Sequence, residues 1–205
     1  MRPDLPSTGR NDKEDMADQK EQQGLSNVFV LGTGRCGTVT FSKACESMTN
    51  WTAGHETNSH LLFQDRLEYP QKHIEVDNRL SWMLGRLDAL YGDDPLYVHI
   101  YRDPMETTLS YAKRTWPGSI VRAYAEGIIL HKPDEPTNYN VEEYGLDMID
   151  VVTANIRHFL KDKSKTMLFP LHEAKRLWPV FWRLVRAEGD FERSLAVWDV
   201  KHNAS

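Results

Sequence analysis

The stretch "VFVLGTGRCGT", Val28 to Thr38, decides how the rest of the chain is read. Four large apolar residues run without a polar break, as in a strand buried on both faces, and stop at a loop holding Gly32, Gly34 and Gly37. A helical pattern, "GTVTFSKACESM", follows directly. Strand, glycine loop and helix start together make an anion site. The amides of the turn converge at a helix N-terminus, where the dipole also favours negative charge.

Several ligands fit such a loop. The glycines satisfy G-x-G-x-x-G, and Glu56 stands 19 residues beyond Gly37, where an acid could take a ribose hydroxyl. A nicotinamide-dependent Rossmann oxidoreductase, using NAD or NADP, is therefore one reading. The nucleotide-triphosphate pattern matches at Gly32 and Gly37, with Asp77 able to imitate its magnesium-binding acid. Thr38, however, occupies the position that needs lysine, and this reading is set aside. Arg35 separates the remaining possibilities. A guanidinium within the turn either reaches the reactive end of the ligand and offsets charge on a leaving oxygen, or points to solvent. Thr38 and Thr40 offer hydroxyls to the same anion.

Beyond the loop, short apolar runs alternate with helical patterns. "WTAG", "HIEVD", "LYVHIYR" and "KTMLFP" read as strands. "RLSWMLGRLDALYG", "PMETTLSYAKR", "VEEYGLDMIDVVTANIRHFLKD" and "HEAKRLWPVFWRLVRAEGD" read as helices, the last kinked or divided by Pro179. Ile149, Val152, Ile156, Phe159 and Leu160 form one core-facing stripe. The alternation predicts a single α/β domain with a central parallel sheet flanked by helices. Residues 1–26 are polar and charged and are expected to form a mobile tail, with the domain over 27–205. "ILHKPDEPTNYN" reads as a long loop and a candidate substrate lid.

A second cluster lies in "YVHIYRDPMETTLSYAKR". A buried strand delivers Arg102 at its end, and Asp103 and Pro104 open a helix, as proline at the first helical position should. Ser110 follows eight residues after Arg102, so both could grip one further phosphate.

With these two motifs in place, the sequence resembles the sulfotransferase family, whose donor is 3′-phosphoadenosine 5′-phosphosulfate (PAPS). The resemblance runs from about Asn27 onward and implies a P-loop NTPase-like sulfotransferase fold. "GTGRCGT" is similar to the family's 5′-phosphosulfate loop, with Cys36 where serine is usual, and "YRDPMETTLSYAKR" to its 3′-phosphate motif. The resemblance implies that Gly34, Arg35, Cys36, Gly37, Thr38, Val39 and Thr40 hold the 5′ end, and Arg102 and Ser110 the 3′-phosphate. The product would be 3′-phosphoadenosine 5′-phosphate (PAP). The glycine-rich C-terminal segment of the cytosolic branch has no counterpart, which is closer to bacterial and Golgi-like branches.

Sulfuryl transfer needs an aligned acceptor oxygen, stabilisation of the charge left behind and a base; no metal is obligatory. Family members often place a glutamate or histidine after an early strand, and "TAGHET" puts Glu56, or else His55, in the similar position. Asp77, Asn78 and Arg79 end a strand on the same edge as candidate substrate contacts, with Asp77 as a helix cap the alternative. His99 is read as a hydrogen-bonded core histidine, Trp82, Trp178, Trp182 and Trp198 as packing residues, and Trp116 as a possible pocket wall. "KDKSK" is read as a solvated turn and His202 as a residue that could fold back over the site.

Composition bounds these readings. The chain has 205 residues, 40% of them hydrophobic, with a net charge of −5 and a pI near 5.9, so nucleic acid is not the expected partner. No apolar run approaches the ~20 residues of a membrane span, and the first residues lack a secretory apolar core. A cytoplasmic location is expected. Two cysteines, Cys36 and Cys45, make neither a disulfide framework nor a zinc site. The acceptor would be a small molecule or glycan, through a hydroxyl in preference to an amine. A nucleotide-binding, sulfotransferase-like protein without turnover is the non-enzymatic alternative.

Overall fold

The structure is a computed structural model that describes residues 25–113, 119–131 and 140–200. Strand β1 (Asn27–Leu31) is buried along its whole length. It lies mid-sheet, parallel to β3 (His73–Val76) on one side and β4 (Leu96–Tyr101) on the other. With β2 (Thr52–His55) beside β3 and β5 (Thr166–Pro170) beside β4, the five strands run β2-β3-β1-β4-β5, all parallel. The fold is therefore the single-domain α/β architecture that the alternation of elements predicts.

Side chains of β1 alternate between two cores. Val28 and Val30 join one cluster with Phe41, Trp178 and Phe181, whereas Phe29 and Leu31 join another with Tyr97, Leu80 and Ile156. A central strand buried on both faces has no polar side, which is why its sequence reads as an unbroken apolar run. The first core is closed by helices α1 (Thr38–Cys45), α6 (Ala174–Leu184) and α7 (Phe191–Ala196). The second is closed by α2 (Leu84–Tyr91), α3 (Pro104–Ala112), α4 (Ile120–Ala123) and α5 (Val141–Leu160). The chain leaves β1 toward β2 and β3 but leaves β4 toward β5. The sheet thus reverses its direction of winding between β1 and β4, where open α/β sheets form their ligand crevice.

Local chemistry explains most element ends. Pro104 opens α3 behind Asp103, whose carboxylate accepts from the Glu106 amide at 2.9 Å. Asn140 caps α5 by accepting from the amides of Glu142 and Glu143. On α5, Ile149, Val152 and Ile156 are buried, and Phe159 and Leu160 pack half-buried against the same core.

Several expectations need correcting. The helix read across residues 79–92 is two elements: a 3₁₀ turn, Asn78–Trp82, and then α2. Ser81 is the reason. Its hydroxyl accepts from the Gly32 amide at 3.2 Å and donates to the Gly32 carbonyl at 3.0 Å, tying the turn to the glycine loop rather than to the axis of α2. Pro179 does not divide α6, which runs through it; the break comes at Arg186, in a left-handed conformation (φ 50°), and α7 follows as a separate helix capped by Asp190. "KDKSK" is not freely solvated: Lys163 pairs with Asp88 at 2.5 Å, and Ser164 donates its hydroxyl to Asp93 at 2.6 Å. Trp178 is a packing residue, but Trp82 is 39% exposed.

His99 is buried as expected, yet neither ring nitrogen has a hydrogen-bond partner among the described residues. Burial, aided by the Arg157 charge, pushes its pKa down to about 4. Ahead of β1, Leu25 packs against the first core and the Ser26 carbonyl accepts from the Lys72 amide at 2.6 Å. The rest of the expected tail, most of the candidate lid, Trp116 and His202 lie outside the described residues. Among the described residues no helix is long and apolar enough to cross a membrane.

Candidate active site

The loop after β1 turns on three left-handed residues in close succession: Gly34 (φ 81°), Arg35 (φ 56°) and Gly37 (φ 94°). Two are glycines for a steric reason. A Cβ on Gly34 would collide with the Tyr111 hydroxyl, and one on Gly37 would come within 2.5 Å of Leu171 Cδ1. Arg35 adopts the same conformation with a side chain attached, which costs on the order of 1 kcal/mol and calls for compensation. Part of it is visible: Arg35 Nε donates to Ser110 Oγ on α3 at 2.9 Å. The neighbouring Tyr111 hydroxyl donates to the Thr33 carbonyl. The two motifs, 75 residues apart in sequence at Arg35 and Ser110, are thus hydrogen-bonded to each other.

Gly37 provides no side chain to cap α1, so the amides at the helix start keep their capacity for a bound anion. Thr38 and Thr40 are largely buried beside them, and the Thr38 hydroxyl meets His55 Nε2 at 3.2 Å. Cys36 takes a different direction from its neighbours. Its thiol is fully buried in the core, and burial pushes its pKa up to about 11, so only its backbone is placed to serve a ligand.

A cleft of about 1250 Å³ opens over the C-terminal ends of the strands. Its wall includes Gly34, Arg35, Gly37, Thr38, Val39 and Thr40 from the first loop and helix. Arg102 and Ser110 line it from the β4 side, and His55, Glu56, Asn78 and Arg79 from the β2 and β3 side. Of the described residues nominated for the donor, the base or the acceptor, Cys36 and Asp77 alone do not line it. Asp77 is fully buried: Oδ1 accepts from the Arg79 amide at 2.7 Å and Oδ2 is ion-paired with Arg66. It caps the 3₁₀ turn and has no surface for a substrate. Burial pushes its carboxyl up from the ordinary value, against the pull of the Arg79 amide and the Arg66 guanidinium.

Arg102 and Ser110 share the cleft but do not share a partner. Arg102 Nε pairs with Glu106, in the first turn of α3, at 2.8 Å, while Ser110 accepts from Arg35. Glu56, also left-handed (φ 54°), pairs with Arg79 at 2.5 Å.

The sequence reading missed Tyr111, Lys113, Leu171, Lys175 and Trp198, which also line the cleft. Trp198, read as packing only, does both: it packs partly buried on the first core and presents a face to the cleft. Tyr111 had a usable signal, since it directly follows Ser110 in the second motif. Leu171, Lys175 and Trp198 reach the cleft only through the packing of α6 and the turn after α7.

No protein-family model matches this chain, and no curated protein matches it. Among solved structures, a mouse sulfotransferase, SULT7A1, complexed with PAP is similar, with a TM-score of 0.53 and 11% sequence identity. The match covers 90% of this chain and 67% of that one. At that identity the likeness shows the fold: a parallel sheet flanked by helices, arranged as in a sulfotransferase.

Proposed function

We propose that this protein is a PAPS-dependent sulfotransferase, with its catalytic domain over residues 27–205, acting in the cytoplasm on a hydroxyl of a small molecule or glycan. The observation that carries the reading is the bond between Arg35 and Ser110, because it joins the two anion-binding motifs across one cleft. A ligand with phosphates at both ends is the kind that needs both. The cradle suits such a group: left-handed glycines, an uncapped helix start and two threonine hydroxyls converge beside a guanidinium.

PAPS, when bound, supplies the sulfuryl group, and its S–O bond to the 5′-phosphate is the bond that breaks. The amides of the first loop and the start of α1 bind the 5′-phosphate. Arg35 offsets the charge that develops on its leaving oxygen. Arg102 and Ser110 hold the 3′-phosphate, which sets the register of the donor in the cleft. On the opposite wall, Glu56 takes the proton of the acceptor hydroxyl as its oxygen bonds to sulfur. His55, held against Thr38, is the second choice for that base. Asn78 and Arg79 orient the acceptor.

The test is a thermal-shift and calorimetry panel followed by transfer of labelled sulfate into a metabolite extract. PAP raises the melting temperature, NADH does not, and label reaches an acceptor. Stabilisation by NADH instead of PAP would return the glycine loop to the oxidoreductase reading. Binding of PAP with no transfer to any acceptor would make the protein a nucleotide-binding relative without turnover.

A further inference from the structure

Behind the wall that carries Glu56 and Arg79 lies a layer of buried polar side chains that the proposed mechanism does not use. Glu75 and Asp77 are both fully buried, two residues apart, and so project from the same face of the extended segment that contains β3. Buried carboxylates are costly unless every oxygen is engaged, and here each is. Glu75 Oε1 accepts from the Thr57 amide at 2.9 Å, and Oε2 meets His73 Nε2 at 3.0 Å. His73 Nδ1 in turn meets Thr52 Oγ1 at 2.8 Å. Asp77 accepts from the Arg79 amide at 2.7 Å and is ion-paired with Arg66, whose Nη1 donates to the Tyr69 hydroxyl at 3.1 Å.

The two carboxylates therefore grip the backbone at or next to both members of the Glu56–Arg79 pair. Glu56 is in the left-handed region (φ 54°), a conformation that a non-glycine residue keeps only when its surroundings enforce it. They do so from both sides: its own amide donates to the Val76 carbonyl at 3.2 Å, and the next amide donates to Glu75. Gly54 leaves the room required, since a Cβ there would meet the Thr57 hydroxyl and come within 3.0 Å of Glu75 Oε2.

We propose that Glu75 and Asp77 are positioning residues, which hold the Thr57 and Arg79 amides and so fix the Glu56–Arg79 pair on the cleft wall. Glu75 sets the strained turn that presents Glu56; Asp77 sets the turn that presents Arg79. Neither touches a ligand. Their catalytic meaning rests on the sulfuryl-transfer reading, but the structural part does not.

The experiment compares wild type, Glu75→Leu and Glu75→Gln by three measurements: amide exchange at Thr57 by NMR, PAP binding by calorimetry, and single-turnover conversion of PAPS to PAP with water as acceptor. Leucine removes the acceptor for the Thr57 amide; glutamine keeps an oxygen there. Expected for Glu75→Leu are exchange at Thr57 at least tenfold faster and turnover at least 20-fold slower, with PAP affinity within threefold of wild type. Glu75→Gln recovers at least fivefold of the lost rate, together with the protection of Thr57. Unchanged exchange at Thr57 in Glu75→Leu overturns the proposal. So does a loss of rate matched by an equal loss of PAP affinity, or a glutamine variant no better than leucine. Should Glu75→Leu fail to fold, Gly54→Ala, whose methyl crowds Thr57 and Glu75, takes its place with the same expectations. If wild type binds no PAP or shows no turnover, it is the function reading that suffers, and the exchange comparison by itself decides whether Glu75 holds the turn.

Discussion

Arg35 Nε lies 2.9 Å from Ser110 Oγ, so the arginine of the glycine loop is held by the serine of the second motif, on α3. A guanidinium that is already oriented needs no reorganisation when charge develops near it, which is the condition for strong electrostatic stabilisation. Arg35→Ala is expected to lower kcat by roughly 100-fold or more while the donor KM changes little. Ser110→Ala, which removes this hydrogen bond but keeps the guanidinium, moves kcat in the same direction by a smaller factor. Single-turnover transfer of labelled sulfate measures both. Equal loss in kcat and in donor affinity for Arg35→Ala would assign the side chain to ground-state binding.

Arg102 is paired with Glu106, an acid in the first turn of α3. Arg102→Ala is expected to weaken PAP binding by roughly 10- to 100-fold, the usual scale for a charge-assisted phosphate contact. Glu106→Gln frees the guanidinium from an exposed i,i+4 pair, a small interaction, and is expected to tighten PAP binding about twofold. Titration calorimetry at fixed ionic strength reads both changes. Weaker binding in Glu106→Gln would mean that the acid orients Arg102 rather than competing for it.

His99 makes stability depend on pH. Its folded pKa is pushed down to about 4 by burial, whereas the unfolded residue titrates near its ordinary value of 6.5. Between those values the unfolded chain binds the extra proton, so stability is full above the unfolded pKa and falls as pH drops through the folded one. The loss amounts to about 3 kcal/mol. Urea unfolding of wild type and His99→Leu between pH 4 and 7 checks this, with the leucine variant expected to lose less stability across that window. Since neither ring nitrogen has a described partner, His99→Leu is also expected to cost little at pH 7.

Gly37 holds the entrance of α1 at φ 94°, with Leu171 Cδ1 where a methyl group would go. Gly37→Ala is expected to cost on the order of 1–2 kcal/mol from backbone strain and to lower PAP affinity as the amides of the turn shift. Thermal melts and calorimetry read the two effects. In Gly37→Ala/Leu171→Ala the steric part is relieved and the strain of φ remains, so the recovery is partial.

The parts of this fold that could be read from the sequence are those set by neighbours along the chain. The apolar run of β1, the glycine turn, and Asp103 with Pro104 at the start of α3 each depend on interactions within a few residues, and each was legible. The helix expected across residues 79–92 was misread because Ser81 answers to Gly32, 49 residues earlier, and no local pattern announces that bond. Asp77 was open as a substrate contact or a helix cap, and the cap forms; its ion pair with Arg66, in the 3₁₀ turn Asp65–Leu67, joins segments that no local pattern links. His99 was expected to have a hydrogen-bond partner because buried histidines generally do. Its position between apolar neighbours revealed burial but not which groups surround it. For the cleft, the residues of both motifs that line it were visible as spacings, whereas the wall supplied by Leu171, Lys175 and Trp198 depends on how α6 and the chain after α7 pack.

β1 and β4 run side by side, with Leu31, the last residue of β1, opposite His99, two residues before the end of β4. The segments that carry Arg35 and Arg102 therefore leave neighbouring strands, and the bonds from Ser110 and Tyr111 tie the first loop to the helix that follows the second. In the proposed reading this part of the cleft works as a fixed gauge, accepting a donor of one length and rejecting shorter or longer ones. The opposite bank rests on β2, an edge strand with a single neighbour in the sheet. Changes of acceptor can therefore be accommodated along that margin, by altering the segment after His55, while the gauge at the centre stays as it is.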